Sequence, residues 1–237
     1  MNAVRSAAVG NRNREATRII VLGVLAVALY FWVARILLLP YMLKSAIKIV
    51  LFLGVPVYCR LRSGRSAGQA LRDWIVPPRE QLPHLIRTAV FGILIILAAN
   101  LLVEPLCRWF GIESVIGEIQ ARTHTTRQRL WLAMLYIPIV NALAEELFFR
   151  AFGVLELTGL GFGRLALILP ATLFALYHLA IFQNWFSPAI LALCLGGLFL
   201  CGLLLGLMVR RDRNVAGVWL LHGLVNVAII SISIQFF

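Results

Sequence analysis

The sequence predicts an all-α fold, a polytopic membrane bundle of about seven transmembrane helices, and three observations carry that prediction. Hydrophobic residues make up 61% of the chain and its mean hydropathy is +0.90, too apolar for a globule whose whole surface must meet water. Apolar stretches long enough to span a bilayer occur at about 19–39, 42–59, 86–103, 130–157, 164–182, 189–209 and 215–235, the second being the shortest. The basic residues collect in alternate gaps between those stretches.

That alternation sets the expected topology. Arg5, Arg12, Arg14 and Arg18 precede the first stretch, and Arg60, Arg62, Arg65, Arg72, Arg79 and Arg87 follow the second. Arg164 follows the fourth, and Arg210, Arg211 and Arg213 follow the sixth. The intervening gaps hold only Lys44, Arg108, Arg122, Arg127 and Arg129, mixed with Glu104, Glu113 and Glu118. The positive-inside rule then puts the N-terminus in the cytoplasm and, after seven crossings, the C-terminus outside. A net charge of +12 on a soluble face would suit nucleic acid. Distributed as it is, the charge reads as a topology signal, and the lipid bilayer rather than nucleic acid is the expected partner. The first apolar run is too long for a cleavable signal, and the pattern suits an integral protein of a prokaryotic cytoplasmic membrane.

Taken in order, residues 1–18 read as a polar cytoplasmic tail, disordered or lying on the membrane surface, and 19–237 as a single helical domain. Leu39-Pro40-Tyr41 marks a tight outer turn, with Arg35, Lys44 and Lys48 placed to snorkel toward headgroups. Residues 60–85 form a basic inner loop whose Trp74–Pro78 segment is expected at the interface, and a solvated His84 lies within it. After the third stretch comes an outer loop with a short helix expected over 112–121 and a solvated His124. Pro138 is expected to kink the fourth helix and free a carbonyl. Gly202 and Gly206 give the sixth a small-residue packing face. Cys59, Cys107, Cys194 and Cys201 lack metal-ligand spacing and read as small apolar residues.

Chemistry is concentrated in Asn141-Ala142-Leu143-Ala144-Glu145-Glu146-Leu147-Phe148-Phe149-Arg150. Of ten acidic residues, only Glu145 and Glu146 fall inside an apolar helix away from its ends, where an ionisable group is costly and marks function by default. Glu146 and Arg150 are four apart and share a face, an acid-first ion pair, while Glu145 points about 100° away and is free for chemistry. Two further histidines lie in spans, in Phe174-Ala175-Leu176-Tyr177-His178 and His222-Gly223-Leu224-Val225-Asn226. At ~1.5 Å per residue from the inner helix ends, Glu145 lies about 18 Å deep, His178 about 21 Å, His222 about 12 Å and Asn226 about 18 Å. One polar cavity at that level would join a Glu/His general-base pair to His and Asn donors for an oxyanion, the parts needed for amide hydrolysis by water. Ser187, Ser231 and Ser233 lie near helix ends without a Gly-x-Ser-x-Gly setting, so no nucleophilic serine competes.

Glu145-Glu146-x-x-x-Arg150, Phe174-x-x-x-His178 and His222-x-x-x-Asn226, in this order on separate helices, resemble the three motifs of the CPBP intramembrane proteases. That is the family of the CAAX prenyl endopeptidase Rce1 and the bacterial Abi proteins, and the resemblance covers residues 130–230. It implies an endopeptidase that cleaves membrane-associated proteins or peptides near their C-termini or within the bilayer. Glu145 and His178 would activate water, His222 and Asn226 would hold the oxyanion, and Glu146 with Arg150 would be a structural pair. The family has been described both as metal-dependent and as glutamate-dependent. No cofactor is expected here, because the HExxH spacing of zincins is absent, with Zn²⁺ on Glu145, His178 and His222 as the alternative. Competing classes are a proton-coupled transporter or ion-binding protein, disfavoured by the lack of an internal repeat, and a non-catalytic membrane binding or immunity protein.

Overall fold

The computed structural model describes residues 2–37, 39–110, 126–182 and 187–235. Their regular structure is helical throughout: α1 (Asn2–Ile36), α2 (Tyr41–Arg62), α3 (Ala67–Ile75), α4 (Leu82–Phe110), α5 (residues 127–159), α6 (Leu165–Phe182), α7 (Pro188–Asp212) and α8 (Ala216–Gln235). Seven of the eight contain windows long and apolar enough to cross a membrane, in the seven places that the hydropathy pattern predicts. The protein is an integral membrane protein. The short helix expected over 112–121 and His124 lie outside the described residues.

The helix α5 sits at the centre, against α1, α2, α6, α7 and α8, while α4 pairs with α8 and α6 with α7. Half of its spanning window is buried inside the bundle, against 11–39% for the other six spans. A helix apolar all round belongs in such a place. Ala142, Ala144 and every residue from Glu145 to Leu155 are buried. The rings of Phe148, Phe149 and Phe152 interlock there with Phe52 of α2 and Phe174 and Tyr177 of α6, the closest pair being Phe52 and Phe148 at 4.3 Å between centroids.

Two close approaches set the positions of the helices that carry chemistry. At Gly202 on α7 a Cβ would stand 3.0 Å from Ala171 Cα, and at Gly206 one would stand 3.1 Å from Leu167, so the predicted small-residue face is the α6–α7 contact. At Gly223 on α8 a Cβ would stand 2.9 Å from the Pro138 carbonyl oxygen of α5. Pro138 itself opens a π-helical turn over Ile137–Asn141, since it cannot donate the usual backbone hydrogen bond. The Ile139 carbonyl accepts from the Trp219 indole of α8 at 3.0 Å, a further link between α5 and α8.

Three expectations are corrected at the basic end. Residues 2–18, read as a tail disordered or lying on the membrane surface, are helical as the first part of α1, and Ala16 is buried. The loop after α2 contains α3, capped by Ser66, whose hydroxyl accepts from the Gln69 amide. Trp74 is buried rather than interfacial. It packs with Leu147, Val154, Val209 and Val215, its carbonyl accepts from Val215 at 2.7 Å, and the Arg60 guanidinium covers its ring at 4.7 Å. Arg60 and Arg65 both pair with Glu156, and Ser63 donates to Glu15, tying α1, α2 and α5 together. His84 lies in an exposed contact with Arg211, away from the glutamates, as a solvated histidine would.

Candidate active site

The glutamates are among the most deeply buried side chains, Glu145 at 2% exposure and Glu146 at 0%. Consecutive positions on α5 turn them to different neighbours. Glu146 meets Arg150 one turn on, with Nε 3.3 Å from Oε2, and this is the ion pair that the i,i+4 spacing predicts. The Arg150 guanidinium lies over Phe174 of α6 at 4.2 Å, and its two terminal nitrogens have no hydrogen-bond partner among the described residues. Its charge is therefore held by one carboxylate and the faces of Phe174 and, at 6.0 Å, Phe149.

Glu145 is not free, contrary to the reading from helical geometry. Its Oε1 accepts from the Asn141 amide at 2.7 Å, from the Tyr177 hydroxyl at 2.9 Å and from the Lys48 ammonium at 3.3 Å. Lys48 likewise corrects the sequence reading, which placed it among the lysines that reach for headgroups. It is only 5% exposed, and its Nζ donates to Asn141 Oδ1, Glu145 Oε1 and the Tyr177 hydroxyl. One turn earlier Ser45 shares a hydrogen bond with Tyr136, fixing the same face of α2 to α5. Lys44 does remain near a helix end, where it donates to the Ala34 carbonyl of α1.

The helix α8 delivers His222 between the two carboxylates. Its Nδ1 donates to Glu146 Oε1 at 2.7 Å, and its Nε2 lies 3.9 Å from Glu145 Oε2. A carboxylate can only accept, so the Glu146 contact fixes the proton on Nδ1 and aims Nε2 at Glu145. His178 of α6 is oriented the same way by a different acceptor, the Phe174 carbonyl, 2.7 Å from Nδ1. Its ring meets Phe174 and Tyr177 edge-on at 4.6 Å and interacts electrostatically with Glu145 and His222. The Phe174 ring also meets His222 edge-on, at 6.0 Å between centroids. Asn226 follows His222 by one turn; its amide nitrogen is buried and has no partner among the described residues.

The structure therefore gathers Glu145, Glu146, Arg150, His178 and His222 around Phe174 and leaves Asn226 with an unspent donor. Sequence reasoning assigned no role to Asn141 or Tyr177 and read Lys48 as a headgroup lysine. Each carried a signal: Lys48 is a cation seven residues inside an apolar stretch, Asn141 stands one turn before Glu145, and Tyr177 adjoins His178. Among the described residues no three His, Cys, Asp or Glu side chains converge as metal ligands do. The contacts of Glu145, His178 and His222 with Lys48, the Phe174 carbonyl and Glu146 occupy Oε1 of the carboxylate and Nδ1 of each ring, and leave Oε2 and both Nε2 atoms without a hydrogen bond among the described residues.

Residues 127–228 match the model of a family described as type II CAAX prenyl endopeptidase Rce1-like. No curated protein and no solved structure matches the chain. The matched segment contains both glutamates, Arg150, His178, His222 and Asn226, and it begins after α4, so Lys48 lies outside it. The matched segment carries the ordered motifs, and over residues 127–228 this membrane chain is similar to the Rce1-like family of CAAX-type proteases.

Proposed function

We propose that the protein is an intramembrane endopeptidase that hydrolyses a peptide bond of a membrane-associated protein or peptide, near its C-terminus or within the bilayer. The observation that carries this reading is the buried pair of glutamates with His222 between them, each oxygen in a defined setting. Glu145 Oε1 is saturated by donors, so Oε2 is the oxygen left to take a proton from water. Water is the nucleophile in this scheme, and no metal takes part.

With Nδ1 committed to a carbonyl, neutral His178 presents Nε2 as an acceptor and joins Glu145 in activating the water. Attack on the scissile carbonyl puts charge on its oxygen. The Asn226 amide and a protonated Nε2 on His222 supply the donors there, and Glu146 stabilises the charged ring through Nδ1. Collapse of the tetrahedral intermediate breaks the C–N bond, and the leaving amine takes the proton gained by the Glu145 and His178 pair. Glu146 and Arg150 act as the structural pair. The basic ends of the helices put the N-terminus in the cytoplasm and the C-terminus outside.

The test compares protein termini in membranes from cells carrying the wild-type protein and cells carrying Glu145→Ala at equal levels. A defined set of termini that disappears in the variant supports the protease and names its substrates. Unchanged termini across growth conditions would turn attention to the transporter and binding readings.

A further inference from the structure

We infer that Lys48, contributed by a helix outside the family match, is a positioning residue: it is the fixed counter-ion of Glu145 and turns that carboxylate so that only Oε2 faces the reaction. The inference rests on the reading of Glu145 as the base.

Lysine near the middle of a span is costly unless its charge is matched. Lys48 is seven residues from the start of α2 and fourteen from its end, about 10 Å and 21 Å along the axis. Its stem could carry the ammonium toward the nearer interface, yet Nζ points inward to its acceptors and the residue is only 5% exposed. An ammonium has three donors, and here each has an acceptor: Asn141 Oδ1, the Tyr177 hydroxyl at 2.9 Å and Glu145 Oε1 at 3.3 Å. The acceptors support one another. The Asn141 amide and the Tyr177 hydroxyl each accept from Lys48 and donate to Glu145 Oε1, so three helices converge on one carboxylate oxygen.

The consequence is an asymmetric carboxylate. Oε1 holds three donors, while Oε2 stands 3.9 Å from His222 Nε2, a separation that a water can bridge. Arg150 cannot replace Lys48, because its Nε is paired with Glu146 and its guanidinium is stacked on Phe174. Without Lys48 the Glu145 carboxyl would lose the ammonium on Oε1 and would hold a proton instead of taking one from water.

The full-length protein in membranes tests this with dicyclohexylcarbodiimide, which adds to buried carboxyl groups only when they are protonated. Mass spectrometry of the Glu145 peptide should show little adduct in the wild type, strong labelling in Lys48→Met, and little in Lys48→Arg, which keeps the charge. Product termini should form about 10- to 100-fold more slowly in Lys48→Met, the rate equivalent of one hydrogen bond to a charged group. Lys48→Arg should recover part of that loss. Equal labelling of wild type and Lys48→Met, or wild-type processing by Lys48→Met, overturns the inference. Should Lys48→Met fail to accumulate, Tyr177→Phe decides: it keeps the ring and removes the hydroxyl shared by Lys48 and Glu145. It should then slow processing about 10-fold, and an unchanged rate overturns the inference. If Glu145→Ala changes no termini while the labelling pattern holds, the counter-ion stands and the protease reading falls.

Discussion

Replacing Arg150 with methionine should destabilise the protein far more than its neutral volume suggests. Lys48, Glu145, Glu146 and Arg150 are all at most 5% exposed, and their formal charges balance to zero. Removing Arg150 leaves Glu146 Oε2 with no cation and only the His222 contact on Oε1. Breaking a buried pair on one side costs about 3–5 kcal/mol, and the lost stacking on Phe174 adds up to about 2 kcal/mol. For a chain of this size each kcal/mol moves Tm by roughly 2–4 °C, so a fall on the order of 10 °C is expected. Arg150→Met combined with Glu146→Gln should recover most of it, since both charges go and an amide carbonyl still accepts from His222. Thermal unfolding in detergent, followed by tryptophan fluorescence, measures all three proteins. A wild-type Tm for Arg150→Met would refute the pairing, as would a double variant melting below the single one.

Three further outcomes are expected. His178→Ala and His222→Ala should each abolish processing of the termini that Glu145→Ala loses, while both proteins still insert and purify; full processing by either would remove that ring from the mechanism. Asn226→Ala should slow processing by about 10²–10³-fold without lowering Tm, because its buried amide nitrogen has no partner among the described residues, and rates measured on one such terminus check this. Gly223→Ala should lower both Tm and processing, since its Cβ would stand 2.9 Å from the Pro138 carbonyl and push α8 with His222 away from the glutamates; Gly223→Ala with wild-type values would show that the approach is loose.

The spans were legible because membrane helices are written in long apolar runs, and all seven stand where the runs do. The Glu146–Arg150 pair was legible because four residues make nearly one turn. Lys48 was misread for a physical reason: a lysine one or two turns inside a helix can either extend to water or turn inward. That choice is made by acceptors 93 to 129 residues away in the sequence. Trp74 was misread likewise, because interfacial and buried tryptophans look alike until Val215 and Arg60 are seen around one. The π-helical stretches at Ile137–Asn141 and Leu147–Leu155 left no trace beyond Pro138, since an apolar helix shows no periodicity from which a shift of register can be read.

The ion pair between Lys48 and Glu145 also bears on how the chain enters the bilayer. By best-window hydropathy α2, at 1.7, and α5, at 1.5, are the two least apolar of the seven spans, and they are the two that this pair joins. Each alone carries a charge that opposes partitioning into lipid; together they present none at that contact. The lysine is synthesised 97 residues before its carboxylate, so until α5 emerges its ammonium has no such partner and must reach for the nearer interface. The pair thus forms only after α5 has been made, and its burial is a property of the finished bundle rather than of α2.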